Sequence, residues 1–277
     1  MTAALGLGVA LAVAQMAQVI PWAQDAHVYY VAQPGNLYAS EWQWTNAPYG
    51  YSPAFADALA PFRLLPERVF MGLWQLGLVA ALVVTIRGWA LPVLVAGFAS
   101  TFGLAYLWPA SPIGADIAMG NIHVLLGAVA VFGLRYPALW SFALLSKVTP
   151  GIGLLWFVAR GEWRNLAVAL GVTAVIAGVS FVLLPGDWFA WVRFLLASDP
   201  DFPGWVVPVP LPVRLAMSAA LIVWGARTDR ACVLPVACLW AIPLPYATML
   251  AGVVCSLAYV TRNQSHVPRE LPLARPM

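Results

Sequence analysis

A few side chains in this sequence are out of keeping with their surroundings, and their types define the chemistry available. Asp25 stands three residues after Trp22, where an apolar run ends, in Asp25-Ala26-His27-Val28-Tyr29-Tyr30. A carboxylate at a lipid–water boundary beside aromatic rings is partly desolvated, which raises its basicity. With reach to a substrate hydroxyl, such a group serves as a general base. The competing reading is a helix-flanking acid that only marks the interface. Lys147 is the single lysine, set in the apolar run Phe142-Ala143-Leu144-Leu145-Ser146-Lys147-Val148-Thr149-Pro150-Gly151. An ammonium at that depth is costly and faces a cavity or a partner, and the break at Pro150 frees backbone groups for an anion. The alternative is a lysine that snorkels from a helix end.

Asn121 and His123, in Gly120-Asn121-Ile122-His123, open another apolar run on the side expected for Asp25. A histidine there is either a hydrogen-bonded packing residue or part of a site. His27 is exposed and surrounded by polar groups. The three histidines and three cysteines are scattered, without a CxxC pair, so neither a metal site nor a disulfide framework is expected. Asp199-Pro200-Asp201 has the spelling of a metal-binding D-x-D, but it lies in a Pro-rich loop and reads as a turn. No P-loop, Ser/His/Asp arrangement or HExxH is present.

The elements that must carry these groups are membrane helices. Of 277 residues, 62% are hydrophobic and 9% charged, and mean hydropathy is +0.82. A soluble domain carries roughly 25% charged residues, so a water-soluble globule is excluded. A net charge of +3 gives no basis for binding nucleic acid. At about 20 residues per crossing, the expectation is all-α: a polytopic transmembrane bundle of about eight spans, forming a single integral membrane domain over 1–277. The 14 tryptophans suit aromatic belts at the two interfaces.

Apolar runs place span 1 at Thr2–Trp22, read as a retained helix because it has no basic n-region. A polar segment, 24–67, follows. Spans 2 to 4 fall at Val69–Ile86, Trp89–Trp108 and Gly120–Leu134, with Asp116 in a short loop. Span 6 covers Asn165–Leu184, and span 7 covers Leu211–Ala226. The stretch 187–197, with Trp188, Trp191, Phe194 and Leu195 at helical spacing, suits an interfacial helix. Ala231–Val260, broken by Pro243 and Pro245, is long for one span and short for two.

Basic residues stay on the cytoplasmic side. With both termini inside, Arg87, Arg135, Arg227 and Arg230 fall in cytoplasmic turns, and the tail 262–277 adds Arg262, Arg269 and Arg275. Arg160 and Arg164 join them if 137–159 is a re-entrant broken helix pair hinged at Lys147–Pro150. Arg63, Arg68, Arg193 and Arg214 lie outside, together with Asp25, Glu41, Asp57, Glu67, Asp116, Asp187, Asp199 and Asp201. Function is therefore expected at the external face, around the loop 24–67, of a protein in the cytoplasmic membrane.

With these residues in view, the sequence resembles C-type (GT-C) membrane glycosyltransferases of family 87, the polyprenol-phosphate-mannose-dependent α-mannosyltransferases and their relatives. The resemblance lies in Asp25-Ala26-His27-Val28-Tyr29-Tyr30 with Asn36-Leu37-Tyr38, and in Tyr49-Gly50-Tyr51-Ser52-Pro53-Ala54-Phe55. It continues through Leu59-Ala60-Pro61, Leu65-Pro66, Gly120-Asn121-Ile122-His123, Leu144 to Gly153 and Glu162-Trp163-Arg164. It implies that Asp25 deprotonates an acceptor hydroxyl and that a hexose, mannose by resemblance, passes with inversion from a polyprenyl phosphate to a cell-envelope glycolipid or glycan. The leaving phosphate is already a stable anion, so neither a general acid nor a metal or other cofactor is expected. Lys147, His123 and Asn121 are candidates for holding that phosphate, with Arg193 or Arg214 reaching it from the outer side. Tyr29, Tyr30 and Tyr51 are candidates for stacking on sugar or lining the cavity.

Two other readings are compatible with the same residues. One is a transporter or lipid-handling protein built on the broken helix, which paired inverted repeats would favour; no convincing repeat is seen. The other is a shortened, non-catalytic family member in which Asp25 is dispensable.

Overall fold

The fold was taken from a computed structural model, which describes residues 1–17, 24–38, 49–101, 111–197, 209–243 and 250–264. The segments carrying Glu41, the Asp199-Pro200-Asp201 turn, Arg269 and Arg275 lie outside these residues. Among the described residues there are helices and no strands, as the composition requires. In chain order the α-helices are α1 (Thr2–Met16), α2 (Gln24–Val31), α3 (Pro53–Leu59), α4 (Glu67–Ile86), α5 (Ala90–Thr101), α6 (Ser111–Met119) and α7 (His123–Phe132). They are followed by α8 (Trp140–Ser146), α9 (Leu155–Arg160), α10 (Trp163–Leu183), α11 (Pro185–Ala197), α12 (Leu211–Arg227), α13 (Val233–Trp240) and α14 (Ala251–Gln264).

Small residues let the helices approach closely, as expected where lipid supplies no hydrophobic drive. On α1 the buried positions Ala4, Gly8, Leu11, Ala12 and Gln15 form one stripe, which packs on α4. A Cβ at Gly72 would stand 2.9 Å from the Ala12 carbonyl oxygen. At the centre lies α7, buried almost all round and packed against α4, α8, α13 and α14. Gly127 on α7 leaves room for Cys255 of α14. On the periphery, α10 buries fully only Ala169 and Ser180, and its apolar surface is turned outward.

Two helical runs among the described residues are long and apolar enough to cross a bilayer: Glu67–Ser100, 34 residues, and Trp163–Leu183, 21 residues. A third arises if the bent pair Pro112–Met119 and His123–Phe132, turned by 108°, is one broken span. The other apolar stretches fold as shorter helices, including Thr2–Met16 and Pro137–Ser146. Among the described residues, helix length and composition thus give two crossings, or three with the bent pair, and do not confirm the count of about eight that chain length suggested. The turn expected at Arg87 is a 3-10 link, Arg87–Trp89, entered with Arg87 at φ 50°.

Asp116 requires a correction. It does not sit in an external loop; it lies on α6 and is fully buried. An acid next to Pro and Gly in a short polar interval reads as a loop, but here Ser111–Met119 winds into a helix because Asp116 finds donors in the next one. The chain does break at Lys147–Val148, between α8 and the 3-10 turn Thr149–Leu154 that leads into α9. The expected interfacial stretch is helical as α11, with Phe189 and Leu196 exposed. The C-terminal apolar region divides into α13 and α14.

Candidate active site

Asp25 sits in the first turn of α2, on a helix that packs against α4, α6 and α3. Its carboxylate Oδ2 accepts a 2.7 Å hydrogen bond from Asn121 Nδ2. Asn121 is held in turn: its Oδ1 accepts the Ile122 N–H at 2.7 Å, and its own N–H donates to the Asp116 carbonyl at 2.9 Å. The connection is made by Gly120, whose φ of +76° is open to glycine and strained for other residues. A Cβ at Gly120 would stand 2.7 Å from the Ala26 Cβ, so glycine also lets α2 lie directly against the bend. Two side chains of α4 fix that bend: Trp74 Nε1 donates to the Gly120 carbonyl at 2.8 Å, and Gln75 Nε2 to the Ala118 carbonyl at 2.9 Å.

Beyond the bend, His123 opens α7 with no exposed surface. Its Nδ1–H donates to Asp116 Oδ1 at 2.8 Å. That leaves Nε2 as the acceptor, and the Lys147 ammonium donates to it at 3.0 Å. The second Asp116 oxygen, Oδ2, accepts the Val124 N–H at 3.1 Å, one of the orphan donors of a helix first turn. The Lys147 ammonium also lies 5.9 Å from the Tyr51 ring centroid, within cation–π range.

Aromatic rings wall the group. Tyr29, fully buried, meets Tyr51, Phe55 and Trp74 edge-on with centroids 5.1–5.4 Å apart. The Tyr29 and Tyr51 hydroxyls are 2.9 Å apart. Tyr38 donates to the Tyr51 carbonyl at 2.5 Å, and Ser52 Oγ donates to the Leu145 carbonyl, joining α8 to the segment before α3.

Burial is the largest influence on Asp25 and pushes its carboxyl above the ordinary carboxylate range. The Lys147 charge and the Asn121 hydrogen bond act in the opposite direction, while Asp116 adds a smaller upward push. The result is a basic carboxylate that stays near a cation, with one oxygen tied to Asn121.

Of the side chains singled out in the sequence, the fold gathers Asp25, Tyr29, Tyr51, Asn121, His123 and Lys147. Tyr30 is directed elsewhere: its hydroxyl donates to the Leu65 carbonyl at 2.8 Å, and its ring lies 5.5 Å from Phe70. Arg193 is exposed on α11. Arg214 is buried on α12, where its guanidinium donates to the carbonyls of Val209 at 2.9 Å, Pro243 at 2.8 Å and Ile242. The residue that sequence reasoning misplaced is Asp116. The sequence shows an acid seven residues before His123 in an apolar stretch, but the two lie on different helices across the bend, so their spacing does not predict the contact.

The sequence pattern of glycosyltransferase family 87 matches residues 49–271. A polyprenol-phosphate-mannose-dependent alpha-(1-2)-phosphatidylinositol pentamannoside mannosyltransferase of Mycolicibacterium smegmatis is 27% identical over 180 residues, covering 58% of this chain and 43% of that protein. The enzyme of the same name from Mycobacterium tuberculosis (strain CDC 1551 / Oshkosh) is 30% identical over 184 residues, 59% of this chain and 42% of that protein. The chain therefore spans less than half the length of these curated relatives. No solved structure gives a significant match. Asp25 precedes the residues matched by the family pattern, so its place in the site rests on geometry. Over most of its length, residues 49–271, this chain belongs to glycosyltransferase family 87.

Proposed function

We propose that this protein transfers a hexose, mannose by analogy with its relatives' names, from a polyprenyl-phosphate donor to a cell-envelope glycolipid or glycan. Transfer takes place at the external face of the cytoplasmic membrane, with Asp25 as base. The observation that carries this reading is the juxtaposition of a partly desolvated carboxylate, Asp25, with a cation, Lys147, across Asn121 and His123.

The acceptor O–H gives its proton to Asp25 as its oxygen forms a bond to the sugar C1. The bond from C1 to the phosphate oxygen breaks, its electron pair stays on that oxygen, and the configuration at C1 inverts. Polyprenyl phosphate leaves with one more negative charge than it carried as a diester. A lysine fixed near that oxygen stabilises the transition state more than the ground state, so the step proceeds without a general acid or a metal. The acceptor hydroxyl belongs on the free side of Asp25, opposite Asn121. Tyr29 and Tyr51, whose rings pack on one another, serve as the cavity wall.

Membranes or proteoliposomes holding the wild type or Asp25→Asn, supplied with labelled polyprenyl-phosphate mannose and membrane glycolipid, test this reading. The substitution is expected to lower transfer by about 10²–10⁴-fold while donor binding survives. Transfer retained by Asp25→Asn would remove the base assignment. No transfer by folded wild type would remove the glycosyltransferase reading for this chain.

A further inference from the structure

Asp116 is a fully buried acid beside the site, and the transfer step above does not use it. It is fully buried, as is His123, at a 108° bend between two helices. Ionisable groups at such places are costly and held in place by partners. Its partners connect it to both halves of the site. The carboxylate takes His123 Nδ1–H and the Val124 N–H, and the main-chain carbonyl takes the N–H of Asn121, which grips Asp25.

A neutral imidazole has one N–H and one bare nitrogen, and the hydrogen bond at one decides the other. With Oδ1 of Asp116 accepting at Nδ1, Nε2 is bare and accepts from Lys147. In the other tautomer, Nε2–H would point at an ammonium that is donor only, and Lys147 would lose this anchor. The geometry points to Asp116 as a positioning residue: it fixes the His123 tautomer and thereby aims the Lys147 ammonium at the leaving phosphate. This rests on the function proposed above, since the phosphate belongs to that reading.

The chain's three histidines and single lysine make the test direct. Protein carrying ¹⁵N in histidine and in lysine Nζ is reconstituted in lipid, with the His123 signal identified by its loss in His123→Gln. Wild type is expected to show His123 protonated at Nδ1 and bare at Nε2. Asp116→Asn, which keeps an oxygen for the Val124 N–H, is expected to lose that pattern, and the one lysine resonance is expected to shift. The same lysine shift is expected in His123→Gln, which serves alone if Asp116→Asn does not accumulate folded. A His123 tautomer unchanged in folded Asp116→Asn, or a lysine resonance unmoved by His123→Gln, overturns the proposal.

Kinetics add an independent arm. Asp116→Asn is expected to lower kcat, more than it raises the KM for labelled polyprenyl-phosphate mannose, by about 10²–10⁴-fold, the upper end being the loss that a wrong tautomer causes where the histidine itself is the general base. In a His123→Gln background its further effect should fall to about 2-fold or less, since coupled residues are non-additive. Fully additive losses sink the proposal. Wild type that transfers nothing, yet shows the expected tautomer and its loss in Asp116→Asn, removes the glycosyltransferase reading and leaves the positioning of Lys147 standing.

Discussion

At the scale of single residues, the site is a balance of influences on Asp25. Burial pushes the carboxyl up, and the proposed base is active only when ionised, so transfer should decline as pH falls through that raised value. Asn121 and Lys147 both hold the value down. Removing the hydrogen bond with Asn121→Ala is therefore expected to move the acid limb of kcat/KM to higher pH. A pH–rate profile on both proteins measures it; an unmoved limb, or one displaced to lower pH, contradicts the assignment of Asp25 as the titrating base. In the proposed mechanism the charge of Lys147 also stabilises the leaving phosphate, so Lys147→Met is expected to cost transfer at every pH rather than only to shift the limb.

At the scale of elements, the site depends on how closely α2 approaches the α6–α7 bend. Gly120 combines a left-handed backbone with the close approach to Ala26. Gly120→Ala is expected to destabilise the protein by about 1–2 kcal/mol through backbone conformation alone, and to separate Asp25 from Asn121. Thermal unfolding in detergent and transfer activity should fall together. Gly6→Ala on α1, with nothing within 4 Å of its Cβ, is the control and should leave both unchanged or slightly improved. If Gly120→Ala matches that control, the bend does not depend on glycine. The α11 helix is tied down differently: Gly35 N–H donates to Asp187 at 2.7 Å, and Ser180 Oγ to Asp57 at 2.6 Å with Trp188 Nε1 on the same hydroxyl at 3.0 Å. Asp187→Ala removes this tie; Gly35 is exposed, so water takes up its N–H and only the net value of the hydrogen bond, about 0.5–1.5 kcal/mol of stability, is expected to go. Chemical unfolding measures that loss.

At the scale of the whole molecule, lipid is the solvent. The outward face of α10 is the clearest sign: Val175, near its midpoint, is 66% exposed. Val175→Lys is expected to raise the cost of membrane insertion by about 2.5–3.5 kcal/mol and Val175→Leu to be neutral, as read by a glycosylation reporter of insertion. Equal insertion of both would place α10 away from lipid. The orientation is tested separately. Asn36→Cys, at an exposed position, is placed in a Cys232→Ser background because Cys232 is the exposed native thiol while Cys238 and Cys255 are buried. An impermeant thiol reagent applied outside intact cells should label it; labelling only after the cells are opened reverses the orientation and with it the external site.

Some of this was settled by amino-acid type alone. So few charges in so apolar a chain require helices in lipid, because no other open arrangement satisfies the backbone there. A lone lysine beside a proline marks a break, and an acid at the end of an apolar run marks a boundary. Asp25, Asn121, His123 and Lys147 were legible for the same reason, since polar groups are conspicuous in apolar sequence. What they touch was not. Asp116 resembled a loop acid because nothing local reveals that the chain turns by 108° and returns His123 to its carboxylate. Arg214 resembled an outer-face cation because the carbonyls of Ile242 and Pro243 that engage it lie far along the chain. Side-chain type fixes what must be satisfied, and periodicity fixes which face of a helix it lies on. Only the packing of helices distant in sequence decides which donor meets which acceptor, and that pairing makes these scattered polar residues a site.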